Sequence, residues 1–177
     1  MRTACLLALI LPLSAFAEVA SGPKAGDKAP AMEVFVAVGE SEGKSLDPVA
    51  LHKGGKVVVA FVQNEHWSRP MARFLKALDK DLTAADADVA IYAVWLGDKP
   101  DAMKTYLPKA QMSLNFVKTS LGVFVGEKSG PKDWGMNTDA HLTVVVIEKG
   151  IVKESFAFQS VNETDVKTIL KAVSGKK

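Results

Sequence analysis

The stretch KVVVAFVQNEHWSRPMARFLKALDKDL, residues 56–82, joins two hydrophobic periods at a corner. Lys56 to Gln63 is a near-continuous apolar run, the pattern of a strand buried on both faces of a sheet. Beyond the corner the period changes. Met71, Phe74, Leu75, Leu78 and Leu82 recur at i, i+3, i+4, i+7 and i+11, which places them on one face of a helix. Ser68 stands where an N-cap belongs, and Pro70 falls in the first turn, where its missing N–H costs nothing. The reading is a central strand that turns over residues 64–68 into an amphipathic helix.

Working outward, DVAIYAVWLGD (residues 88–98) is a second apolar strand, and KPDAMKTYLPKAQ (residues 99–111) is a helix that Pro108 is expected to cut short. This β-α-β-α alternation predicts parallel neighbours with right-handed crossovers. Upstream, EVASGPKAGDKAP reads as an extended lead-in and MEVFVAV as a short strand. GESEGKSLDPVALHKGG carries turn signals, with a single helical turn at Pro48 to His52. The last third differs. LTVVVIEKGIVKESFAF (residues 142–158) is a hairpin about a tight Glu-Lys-Gly turn. NETDVKTILKAVSG is an amphipathic helix with Val166, Ile169, Leu170 and Val173 on one face, capped by Asn162 and closed by Gly175.

The chain has 177 residues, 48% hydrophobic and 24% charged, enough for one sizeable core and a single domain. Its start, MRTACLLALILPLSAFA, has Arg2, an apolar run and a small-x-small signal at Ala15-Phe16-Ala17. Residues 1–17 are therefore expected to be a signal peptide, with residues 18–177 as the exported domain, periplasmic or secreted. Cys5 is the only cysteine. It precedes most of the apolar run, which argues against a lipid anchor, and cleavage after Ala17 would leave a chain without a thiol. Net charge is +2. Lys and Arg alternate with Asp and Glu, so the basic footprint of a nucleic-acid binder is missing. No later stretch approaches the roughly 20 apolar residues of a spanning helix.

In order and spacing, AGDKAPAMEV, SLDPVALHKGGKVVVAFV, DVAIYAVWLGDKPDAMKTYL and WGMNTDAHLTVVVIEKGIVKESF resemble a redoxin. That is the alkyl-hydroperoxide-reductase and thiol-disulfide-oxidoreductase branch of the thioredoxin-like superfamily. The resemblance runs from about Ala25 to Val173. It implies a three-layer α/β/α sandwich with a central mixed sheet and an extra N-terminal strand. It also implies a redox corner at Trp67, Ser68, Arg69, Pro70 and Met71, with Ser68 at the attacking-thiol position and Met71 at the resolving one. The family's cis-proline falls near Leu142. A cis bond without proline costs about 2.5–4 kcal/mol, so Leu142 is expected to be trans and its loop reshaped.

Both hallmarks of thiol chemistry are thus missing, and catalysis by the chain's own thiols is excluded. Ser68 lacks a G-x-S-x-G elbow or other hydrolase signature, so it reads as an N-cap, and Met71 reads as a packing residue. The function expected is a non-catalytic binding or accessory module with a protein or peptide partner, received on a groove of Trp67, Trp134 and His141. No cofactor is required by this reading. One alternative is Zn²⁺ or Cu²⁺ held by His66, His141 and Glu65, because the fold brings the corner and the cis-proline loop side by side. The other is a thiol-dependent enzyme that uses an external thiol, with Ser68 donating a hydrogen bond to it.

Overall fold

The computed structural model describes residues 19–175, so the expected signal peptide at residues 1–17, Cys5 included, lies outside the described residues. In chain order the elements are β1 (Val34–Val38), β2 (Ser45–Leu46), α1 (Pro48–Leu51), β3 (Lys56–Gln63), α2 (Arg69–Ala85), β4 (Ala90–Leu96), α3 (Pro100–Leu114), β5 (Ser120–Phe124), β6 (Leu142–Glu148), β7 (Ile151–Phe158) and α4 (Val166–Ser174). The strands form one mixed sheet in the order β2-β1-β5-β4-β3-β6-β7. Strand β3 lies between a parallel β4 and an antiparallel β6. Its apolar run is buried on both faces, as the sequence predicts.

Alternation along the strands separates two cores. Val58, Ala60 and Val62 of β3 face α2, α3 and α4, meeting Phe74, Leu78, Leu107 and Ile169. Val57, Val59 and Phe61 face the opposite side, with Tyr92, Val94 and Trp134. That second outer layer is thin, consisting of the four-residue α1 and irregular segments. The lead-in chain is one of them, held by Gly26 N–H to Val152 O at 2.8 Å and Ala29 N–H to Gly150 O at 2.9 Å. Among the described residues no helix is long and apolar enough to cross a membrane.

Two elements depart from the sequence-based expectation. Helix α3 is not cut short at Pro108 but continues to Leu114 and ends on Asn115 in the left-handed region, φ 52°. Met103, Leu107, Ala110 and Leu114 form its buried stripe, while Pro108 is exposed. An internal proline costs about 3 kcal/mol, and burying a leucine side chain returns roughly 1.5–3 kcal/mol. The last turn therefore holds because Ala110 and Leu114 anchor it. Strand β5 escaped the periodicity because it is short and carries Gly122 at its centre, a residue that weakens strand signals. The packing requires that glycine. A Cβ there would sit 2.4 Å from Val34 Cγ1 of the neighbouring β1.

Asp79 of α2, buried at 3% exposure, fixes the path into β5. Its carboxylate accepts the backbone N–H groups of Val117 (2.8 Å), Lys118 (3.0 Å) and Thr119 (2.7 Å), and the Thr119 hydroxyl at 2.7 Å. In the hairpin, Lys149 (φ 52°) and Gly150 (φ 78°) both lie in the left-handed region, the pair of torsions a type I′ turn demands. Asn162 and Asp165 form a reciprocal capping box ahead of α4.

Candidate functional site

The corner is built where β3 runs out. After Gln63 the chain makes a 3₁₀ turn over Asn64–His66, passes Trp67 and enters α2 at Ser68. Antiparallel pairing carries the other half of the site. Val62 sits opposite Leu142, and Gln63 N–H donates to His141 O at 3.0 Å. Three residues beyond Gln63, at the end of the 3₁₀ turn, the imidazole of His66 meets that of His141. Their centroids are 3.6 Å apart and their planes 14° from parallel. His66 is exposed and His141 half-buried. Burial holds the His141 ring below its usual pKa, the charge of His66 adds to the effect, and a hydrogen bond with the Gln159 main chain opposes it.

Trp67 lies edge-on to Trp95, centroids 5.1 Å apart, and its Nε1–H donates to Tyr106 Oη at 3.0 Å. It is half-buried and ties the corner to α3. Ser68 occupies the N-cap position with extended torsions, φ −148° and ψ 165°, but its hydroxyl makes no capping hydrogen bond. The side-chain cap expected from the sequence is therefore not made. Arg69 and Pro70 are exposed, and Met71 is buried at 3% in the α2-side core. No peptide bond among the described residues is cis, and Leu142 begins β6, paired with both Val62 and Phe158.

Two expectations about this site need correction. Trp134 does not line an open groove. It is fully buried on the opposite side of the sheet, edge-on to Phe61 at 5.1 Å, because the segment of residues 125–141 folds its indole down onto β3. Of the expected groove, Trp67 and His141 remain at the surface. Glu65 does not join the two histidines either. Its carboxylate points to Lys128 Nζ at 3.9 Å, and among the described residues no group of three His, Cys, Asp or Glu is placed to hold a metal ion. The stacking matters here as well. A ligating imidazole holds its metal in the ring plane at about 2.0–2.1 Å, and rings this close to parallel direct their lone pairs side by side rather than to a common point. A metal at this pair requires one ring to turn.

A cleft opens beside His66, at the carboxyl ends of β3 and β4. It has a volume of about 290 Å³ and is lined by Gln63, Glu65, His66, Leu96, Gly97, Lys128 and Thr138. Carboxyl ends of strands in open α/β sheets are where ligands commonly bind. The available signal was Gln63 itself, a polar residue closing an otherwise apolar buried strand.

No family model and no curated protein matches the sequence. Solved structures do match in fold. The peroxidoxin BcpB from Mycobacterium tuberculosis superposes with a TM-score of 0.63 at 15% identity, over 88% of this chain and 99% of that one. A thiol:disulfide interchange protein of the thioredoxin family from Chlorobium tepidum gives 0.56 at 14% identity, over 90% and 98%. BsSco, a member of the Sco family of cytochrome c oxidase assembly proteins, gives 0.59 at 16% identity, over 89% and 100%. With a strand-to-helix corner facing the β6 loop and a mixed sheet shared over nearly its whole length with these redox proteins, the chain is an α/β protein of the thioredoxin-like fold.

Proposed function

We propose that this is an exported thioredoxin-fold module that performs no dithiol exchange and binds a protein or peptide partner at the former redox corner. One observation carries the reading. The two thiol positions hold the Ser68 hydroxyl and the Met71 thioether, and Met71 is packed inside the core. A helix N-terminus lowers a cysteine pKa and so favours thiolate. A serine in the same field stays protonated, and a thioether cannot form a disulfide. What the corner offers instead is a half-exposed Trp67 beside two stacked imidazoles, an amphipathic surface suited to an extended peptide.

The test is a display selection of peptides against residues 18–177, followed by affinity measurement on variants. Selected peptides should lose tenfold or more in affinity with Trp67→Ala and little with Ser68→Ala. Equal binding by the Trp67→Ala protein would overturn the reading, and thiol-dependent turnover that disappears in Ser68→Ala would favour the external-thiol enzyme. Export is checked by fractionating the full-length chain and sequencing the mature N-terminus, expected at Glu18.

The juxtaposition of His66 and His141 keeps Zn²⁺ or Cu²⁺ as a second reading. Calorimetric titration should give one-to-one binding that both His66→Ala and His141→Ala abolish if either metal belongs here. Binding indifferent to both substitutions removes it.

A further inference from the structure

Beyond the peptide surface, the cleft at the ends of β3 and β4 has the chemistry of a small-molecule site. Its floor is Gln63, 9% exposed, whose Nε2 has no hydrogen-bond partner. The last torsion of a glutamine is broad and roughly two-fold, so a half-turn of the amide exchanges Oε1 and Nε2 and presents the donor to the cleft. The mouth carries charges of both signs. The Lys128 ammonium lies 3.9 Å from Glu65 and 3.5 Å from Asp98, and all three side chains are more than half exposed. Gly97 keeps the wall between β4 and the corner thin. A Cβ there would meet Asn64 Cβ at 3.2 Å and the Met103 sulfur at 3.4 Å.

These groups select among ligands. A simple carboxylate would satisfy Gln63 and Lys128 but face the Glu65 carboxylate. A simple cation would suit Glu65 yet leave the Gln63 donor unmatched. A zwitterion with both charged groups on one carbon answers both demands, and about 290 Å³ limits it to a small one. The volume sits at the lower end of the roughly 300–1,000 Å³ typical of ligand pockets. We propose that this cleft binds a free α-amino acid with a small or aliphatic side chain. Its carboxylate accepts from Gln63 Nε2 and Lys128 Nζ, its ammonium pairs with Glu65, and its side chain lies against Leu96.

The test is calorimetry on residues 18–177 with L-alanine and L-valine as probes and with acetate and methylamine as half-ligands. Saturable one-to-one binding of an amino acid is expected, at least tenfold tighter than either half-ligand. It should weaken tenfold or more in Gln63→Leu and in Lys128→Met and stay at the parent level in Lys109→Ala, a surface change on α3. Acetate binding as tightly as alanine would overturn the zwitterion assignment. Absence of saturation with both amino acids, or undiminished binding by Gln63→Leu and Lys128→Met, would overturn the site. Because Lys128 is on the surface, its variant reports on binding even if Gln63→Leu perturbs folding. The peptide reading is scored separately on Trp67→Ala, so either proposal can fail without the other.

Discussion

His66 and His141 stack their imidazoles at 3.6 Å because β3 and β6 are paired in a register that sets Val62 opposite Leu142. The contact thus joins the strand-to-helix corner to the start of the hairpin, and it is sensitive to charge, since two imidazolium rings at this separation repel.

Stability should depend on pH through His141. The folded-state pKa of His141 lies below its ordinary value of 6.5. The unfolded chain therefore binds this proton more readily, and stability rises with pH across that range. Stability should be fully present above about pH 6.5 and decline as pH falls through the folded-state pKa. Urea unfolding midpoints measured between pH 5 and 8 should show this decline, and His141→Gln should flatten it. A midpoint unchanged between pH 5 and 7.5 in the parent protein would count against the coupling.

Asp79 should matter to stability out of proportion to its absence from any site. Removing its carboxylate leaves three backbone donors and the Thr119 hydroxyl unpaired at the entrance to β5. One buried unsatisfied donor costs about 1–3 kcal/mol. Allowing for water reaching some of them, Asp79→Ala is expected to lose roughly 3 kcal/mol, and Asp79→Asn, which keeps one acceptor oxygen, less. Chemical denaturation with an unchanged m-value is the measurement.

Thiol chemistry should be installable at the corner, because residues 68 and 71 lie at the N-terminal end of α2. The parent chain is expected to show no dithiol-dependent reduction of a disulfide substrate, whereas Ser68→Cys with Met71→Cys should gain measurable turnover. The Ser68→Cys single variant should react with a maleimide faster than a free thiol, through the N-terminal end of α2. Met71→Cys gives up part of a core side chain at 3% exposure and should cost about 1–3 kcal/mol. Turnover by the parent chain would sink the proposed function.

Gln63→Leu should separate stability from binding. Replacing a nine-tenths-buried amide that has an unpartnered Nε2 with a similarly sized apolar group should be neutral or stabilising by about 1 kcal/mol. The same change should weaken amino-acid binding tenfold or more. A protein that gains thermal stability while losing the ligand fits a polar group kept for function. A loss of stability would mean that Gln63 is instead a structural member of the β3 end.

Elements whose signals are local were legible in the residues themselves. The apolar run of β3, the i, i+3, i+4 stripe of α2, the Lys149-Gly150 turn and the Asn162 cap each follow from the conformations a few neighbouring residues can adopt, and each stands where its residues predict. Chain order was legible too, and with it the meeting of His66 with His141, because the resemblance supplied the fold that pairs their strands. Tertiary structure alone decided the rest. Gly122 reads as a weak strand residue until β1 lies against it, and Pro108 reads as a stop until Leu114 finds the core. Trp134 reads as either a core aromatic or a groove wall until Phe61 receives it. The cleft of Gln63 and Lys128 joins strand ends to a distant loop. Local preferences are worth about 1 kcal/mol or less per residue, and burying one large side chain outweighs them. Packing between distant segments therefore decides wherever the two disagree.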